Sequence, residues 1–465
     1  MSNELKELEK SIDKIAEVAK GFGLDFYPVR FEICPADIIY TFGAYGMPTR
    51  FSHWSFGKSF HKMKMQYDFN LSRIYELVIN SNPCYAFLLE GNSLIQNKLV
   101  IAHVFAHCDF FKNNASFART NRGMVESMAV SAERIRKMEF DYGRPEVERI
   151  LDAAISIQEH VDNRGFIDRE RKEDKSDTKN TVDKKDPYED LFALDHPIPK
   201  EEETPQKVLP KPQKDLLKYI MKNSKYLKEW QREILAIIRD EMLYFYPQME
   251  TKIMNEGWAS YWHARILREL DLSEAEAIDF AIMHAGVIQP SRMINPYFLG
   301  YKIWEGIEKR WNEPDKEDKE ELGLKGGEGR TKMFEIREME NDVSFIRNYL
   351  TRDIIEELDM FSFQKVGNTW QVTEKDWRQV RDDLSANLFN CGYPYIVVED
   401  GDYNRSGELL LAHCHEGVDL DIQYLERTLP NVYTLWGRGV HLSTIVDGKP
   451  VLYSFSGERV IKSLR

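Results

Sequence analysis

The chain has 465 residues, with 63 Lys and Arg against 77 Asp and Glu and a formal charge of -14 at pH 7. At roughly 150 residues per domain this allows two or three domains and a large apolar core, so folding needs neither a disulfide framework nor a metal staple. The acidic balance argues against nonspecific binding to nucleic acid or to an anionic membrane surface.

In chain order, Leu5, Leu8, Ile12, Ile15 and Ala19 recur at spacings of three and four and predict an amphipathic helix over residues 5–20, ended by Gly21 and Gly23. This charged start is no secretory signal, and no later stretch holds about 18 apolar residues without charge; a cytoplasmic protein without membrane insertion is expected. The five cysteines, Cys34, Cys84, Cys108, Cys391 and Cys414, form no CxxC pair and read as reduced thiols.

Residues 26–64 mix Pro, Gly and aromatics with Arg30, Arg50, His53 and His61. No helical period is sustained there, and an irregular segment laid over a scaffold is expected. Residues 65–160 read as mainly helical: a short strand at 85–89, a helix beginning near the capping residue Ser93, and further helices over 124–138 and 147–161. From 168 to 190, 16 of 23 residues are charged, too few apolar groups to offset the entropy of ordering the chain. Residues 165–214 are therefore expected to be a flexible charged insertion.

Helical periodicity resumes at Leu216 and continues, with interruptions, to about residue 322, strongest at 230–245, 251–269 and 273–284. The glycine-rich stretch 323–331 lacks the full phosphate-loop pattern and reads as a linker. Residues 336–465 predict a small α/β module: a helix at 374–388, a hairpin over 395–416, a helix at 420–429, and a second hairpin turning at Asp447-Gly448. The fold class is thus α+β. Residues 1–164 and 215–335 form one large helical domain interrupted by the insertion, and the module at 336–465 follows it.

The chemistry concentrates in two helical segments. His103 and His107, four residues apart on one helix, present both imidazoles on the same face, a geometry that can grip one metal ion. Glu256 and His263, seven apart, share a face of a later helix with Ser260 at its edge. Together the four give a nitrogen and oxygen ligand set for Zn, Mn or Fe; the competing reading is a buried ladder of hydrogen bonds. Position 104 is Val, so the His helix brings no general base. Glu126 and Glu133, which share a helical face, are the catalytic alternatives, with His263 beside them. Asp109 falls off the His face and is expected to pair at the helix surface. Arg50 and His53 are read as loop anchors before substrate groups, and His413 and His415 as neighbours on a strand face.

The blocks at 21–60, 82–114, 254–263 and 409–421 resemble the stage V sporulation protein R family, SpoVR, over essentially the whole chain. The resemblance implies a cytoplasmic protein acting in development of the spore cortex. A more local likeness joins EGWASYWH at 256–263 to the EGWAxYxE helix of gluzincin-like metallopeptidases. It implies a zincin-like helical domain with Glu256 as third ligand beside His103 and His107, and it departs from that pattern at Val104 and at His263, where the pattern has an acid. Two functions follow as expectations: a metal-dependent hydrolase of an amide or peptide-like bond, with Zn the leading ion, or a non-catalytic regulator or scaffold that engages a protein partner through its C-terminal module. Nonheme iron oxidation is a third option that the ligand types allow.

Overall fold

The structure is a computed structural model that describes residues 3–68, 76–163, 213–290, 294–321, 323–366, 369–374 and 376–464. The insertion expected at 165–214 lies, up to residue 212, outside the described residues. The chain divides into two compact units, one made of Met1–Glu148 and Tyr244–Tyr393, the other of Arg149–Leu243 and Pro394–Arg465. Its class is α+β: a mainly helical body with small sheets.

In the first unit, the central strand of a three-stranded sheet leads directly into the helix of the His pair. Strands β1 (Val29–Cys34), β2 (Glu76–Ile79) and β3 (Cys84–Leu89) are ordered β1-β3-β2, with β1 and β3 parallel and β2 and β3 antiparallel. Cys84, Ala86 and Leu88 face the main core. Phe87 and Leu89 face a second cluster with Ile39 and Ile79. Burial on both faces explains why β3 reads as an unbroken apolar run.

The segment expected to be irregular over 26–64 instead holds β1 and two helices, Ala36–Tyr45 and Trp54–Asp68. Strand β1 escapes a period-2 reading because it is a half-exposed edge whose Ile33 faces solvent. Within the same segment the Arg50 guanidinium sits 4.4 Å from the Phe56 ring centre and donates to the Tyr45 carbonyl at 3.2 Å. His53 Nδ1 lies 2.7 Å from Ser55 Oγ, so both residues are engaged in anchoring their own segment.

The His-pair helix runs Leu94–Asn113 behind a capping box, in which Ser93 Oγ accepts from the Gln96 N–H and the Gln96 side chain accepts from the Ser93 N–H. It is buried on nearly every side, as expected of a helix without a polar face. Its neighbour Lys252–Arg268, which carries Glu256, is buried in the same way. That helix meets helix Pro296–Asn312 at Gly257 and Gly300. A Cβ on Gly257 would stand 2.3 Å from the Gly300 carbonyl carbon, and one on Gly300 would stand 2.1 Å from the Ile253 carbonyl oxygen. Backbone contact this close requires glycine on both sides.

Residues 336–393, expected with the C-terminal module, pack in this first unit. Phe345 and Ile346 of helix Asp342–Tyr349 and Ile354 of helix Arg352–Glu357 enter the main core. The buried Asp342 carboxylate accepts the backbone N–H groups of Ile253 at 2.8 Å and Met254 at 2.9 Å, satisfying the first turn of the Glu256 helix. The shift in sequence character near residue 335 is therefore not where the compact units divide. The glycine-rich stretch is a packed turn: a Cβ on Gly329 would stand 2.5 Å from the Glu308 carbonyl oxygen.

The second unit carries a five-stranded sheet ordered β10-β9-β8-β7-β6. After the two-stranded hairpin β4 (Ser362–Val366) and β5 (Thr369–Glu374) of the first unit come β6 (Ile396–Tyr403), β7 (Glu408–His413), β8 (Val440–Val446), β9 (Lys449–Phe455) and β10 (Val460–Leu464). The pair β7 and β8 is parallel and is linked by helix Ile422–Trp436, while the other neighbours are antiparallel. Both expected hairpins are present. The Asp447-Gly448 turn has φ of 50° and 74°, the left-handed pair that a tight hairpin needs. Beyond the second hairpin, β10 adds an edge strand to the sheet. Gln213 bridges Val398, Ser224 Oγ donates to the Trp436 carbonyl at 3.1 Å, and Tyr219 stacks on Trp436, which joins residues 213–243 to this sheet.

Candidate metal centre

One helical turn separates His103 from His107, and their ring centres are 4.5 Å apart. The neighbouring helix brings Glu256 opposite them: Glu256 Oε2 lies 3.7 Å from His103 Nε2 and 3.4 Å from His107 Nε2. Donor atoms of the three residues all fall within 4.8 Å of one another. Two donors each 2.0–2.1 Å from a tetrahedral zinc stand roughly 3.4 Å apart, so the spacing suits an ion of that size. Glu256 Oε2 is buried without a hydrogen-bond partner among the described residues, an arrangement that is costly unless something else satisfies the atom.

The rear nitrogens of both imidazoles are engaged. His107 Nδ1 is 2.8 Å from Asn255 Oδ1, and His103 Nδ1 is 2.9 Å from His263 Nδ1. His263 Nε2 in turn lies 2.9 Å from His284 Nδ1 on helix Glu274–Val287. With both ring nitrogens taken by histidines, His263 stands behind His103 instead of facing the point where the three donors converge. Tyr297 lies parallel to the His103 ring and Phe111 to the His107 ring, forming aromatic walls.

Burial, aided by neighbouring His107, lowers His103 to about 4 against the opposing pull of Glu256. His263, fully buried among His103, His284 and His107, is held well below the usual imidazole range, and burial also lowers His284. Burial alone would raise Glu256, but the facing imidazoles of His103 and His107 outweigh it and keep the carboxyl low. At neutral pH this leaves His103 neutral beside the Glu256 carboxylate, the protonation states that a cation requires of these two ligands.

Glu126 and Glu133 are not brought to this cluster. Helix Met124–Tyr142 buries Met124, Met128, Ala132, Ile135 and Met138, which leaves both acids on the exposed side. Glu133 pairs with Arg136 at 3.1 Å while 75% exposed. Val104 is fully buried in the apolar core. Asp109 departs from its expected surface role, since it is buried and accepts from Arg337 Nη1 at 2.6 Å, Trp258 Nε1 at 2.9 Å and the Asp25 N–H at 2.7 Å. It ties the His-pair helix to the Glu256 helix from the side away from the imidazoles. In the C-terminal sheet, His413 bonds Thr444 and His415 bonds Asp419, so each has its own partner.

Sequence reasoning missed Asn255 as a partner of His107, and it missed His284 altogether. Asn255 adjoins Glu256, so its polarity inside a buried helix was the available signal; His284 had none beyond being a histidine near a helix end.

The fold and site define a mainly helical protein centred on a His-His-carboxylate cluster between two buried helices. The chain belongs to the SpoVR-like family: the family model described as SpoVR like protein matches residues 2–393, and the SpoVR-like C-terminal domain matches 394–447. The junction of the two matches coincides with the division between Tyr393 and Pro394 in the structure. "Uncharacterized protein YcgB" of Escherichia coli (strain K12) is 32% identical over 472 residues, covering 94% of this chain and 91% of that protein. No solved structure matches. Membership links the chain to sporulation at the level of the family. Among the described residues, no helix is long and apolar enough to cross a membrane.

Proposed function

We propose that the protein is a cytoplasmic metal-dependent hydrolase of an amide or peptide-like bond, acting in spore cortex development. His103, His107 and Glu256 hold the ion, most suitably Zn, with Mn and Fe as alternatives. The observation that carries this reading is the buried Glu256 Oε2, which faces two Nε2 atoms at 3.4 and 3.7 Å and has no aligned hydrogen bond among the described residues. Two histidines and one carboxylate are a donor set of catalytic zinc, which leaves a fourth position for water or substrate. A bound zinc would supply Lewis acidity and lower the pKa of that water toward 7. The chain's own part is to fix the ligands, with Asn255 and His263 behind them, and to exclude bulk solvent by the walls of Tyr297 and Phe111.

The decisive measurement is metal content by inductively coupled plasma mass spectrometry. Native protein, purified without chelators or a His tag, is compared with His103→Ala and Glu256→Ala. Near-stoichiometric metal that is lost from both folded variants supports the site. No metal above background, even after reconstitution with Zn, Mn and Fe, refutes it.

The second reading is a regulator or scaffold that holds a structural metal or none and engages a protein partner through the C-terminal module. The apolar Val104 at the position of a base, with Glu126 and Glu133 facing solvent, favours it. A partner that co-purifies only when residues 336–465 are present, together with full function of Glu256→Ala, would establish it over hydrolysis.

A further inference from the structure

His103, His263 and His284 form an unbroken row of imidazoles, joined Nδ1 to Nδ1 at 2.9 Å and then Nε2 to Nδ1 at 2.9 Å. A neutral imidazole has one N–H and one lone pair, so both bonds can be made in only two ways. In the first register His103 donates from Nδ1 to His263, and His263 donates from Nε2 to His284. His103 Nε2 is then a lone pair facing Glu256, and His284 Nε2 carries a proton. In the second register every proton sits on the opposite nitrogen: His103 Nε2 carries N–H toward Glu256, and His284 Nε2 is a lone pair. Any other arrangement sets two N–H groups or two lone pairs face to face inside a buried site.

We propose that His263 and His284 are positioning residues that set the tautomer of His103, and that their row transmits the state of His103 Nε2 to the outer nitrogen of His284. The inference rests on reading the cluster as a metal site, because an ion at His103 Nε2 demands the first register. All three rings are neutral in both registers. In passing from the second to the first, one proton leaves His103 Nε2 on the Glu256 side, two shift along the row, and one is taken up at His284 Nε2.

The placement suits this role. His263 is fully buried, whereas His284 retains 8% exposure, and it stands on a separate helix between Phe280 and Tyr301. His107 has no such freedom. Its Nδ1 faces the Asn255 amide oxygen, an acceptor only, which holds His107 as the Nδ1–H tautomer with or without an ion. The two ligand imidazoles are therefore supported differently, and only the His103 branch can switch.

The test uses full-length protein labelled with ¹⁵N-histidine, assigned from single His variants. Ring nitrogen shifts are recorded metal-free and with one equivalent of Zn²⁺, which is diamagnetic. The expected result is that His284 converts from Nδ1–H to Nε2–H on Zn²⁺ addition, while His107 remains Nδ1–H. His284→Ala should weaken Zn²⁺ binding about 10-fold or more, measured by competition with a chromophoric chelator. His284→Gln, whose amide oxygen can accept from His263, should recover most of that loss and controls for folding. Zn²⁺ that binds while the His284 tautomer stays unchanged overturns the relay and leaves the metal site intact. If no Zn²⁺ binds, the metal reading fails, and the metal-free spectra decide the relay: one His103 tautomer that becomes a mixture in His284→Ala supports it, and a mixture already in the native protein overturns it.

Discussion

His107 Nδ1 and Asn255 Oδ1 stand 2.8 Å apart across two helices whose members are 148 residues apart in sequence. The amide oxygen orients the imidazole so that Nε2 points at Glu256. Asn255→Ala should weaken metal binding 10- to 100-fold, as loss of such outer partners commonly does, while His107 and Glu256 are retained. Asn255→Asp keeps an acceptor and should lose less. Isothermal titration with Zn²⁺ on both variants checks the order. In the native protein, free Zn²⁺ at 100 times its dissociation constant should raise stability by about 2.7 kcal/mol, and a chelator should reverse the gain.

Gly257 and Gly300 bring two helix backbones closer than any side chain permits. Gly257→Ala or Gly300→Ala must push backbone against backbone, at a cost at or above the usual 1–3 kcal/mol of overpacking. Gly286 lies exposed on helix Glu274–Val287, and an added Cβ there would have nothing within 4 Å. At that position Ala should stabilise by about 0.5–1 kcal/mol through helix propensity. Urea denaturation of the three variants separates the packing effect from the conformational one.

The Asp109–Arg337 pair, at 2.6 Å and nearly fully buried, gives a third test. Removing one partner strands a buried charge, so Arg337→Met should cost about 3–5 kcal/mol. The double variant Asp109→Asn with Arg337→Met should recover part of that loss. A double-mutant cycle in denaturant measures the coupling, and additive losses would contradict it.

Asp342 supplies a pH dependence. Burial raises its carboxyl from 3.8 to about 7 against the two backbone N–H bonds it accepts. The folded state therefore binds this proton more tightly than the unfolded chain does between about pH 4 and 7, and the contribution to stability falls as pH rises through that window. Asp342→Asn cannot titrate. Its thermal midpoint should lose several degrees less than that of the native protein between pH 5 and 8, as followed by circular dichroism.

Local spacing made several features legible in the sequence. The helix of His103 and His107, its start at Ser93, the shared face of Glu256 with Ser260 and His263, and the Asp447-Gly448 turn all depend on residues within a turn or two of one another. Helical period, capping chemistry and left-handed turn preference act at that range, so the sequence alone determined which segments become these elements and which side chains lie together on each.

Only the tertiary structure decided how the elements meet. His263 shares the Glu256 face, yet it engages His103 from behind and passes contact on to His284; periodicity places both on a face without telling which ring lies across from which. Asp109 looked like a surface acid because its partner Arg337 is 228 residues away. Strand β1 hid in an irregular-looking segment because its pairing with β3 and its half-exposed edge, not its own pattern, make it a strand. Residues 336–393 join the first unit through Phe345, Ile346 and Asp342, whose partners lie far away in sequence. Long-range packing determines which groups lose water and which acquire partners, and that is the physical reason the site's donors were legible while their support was not.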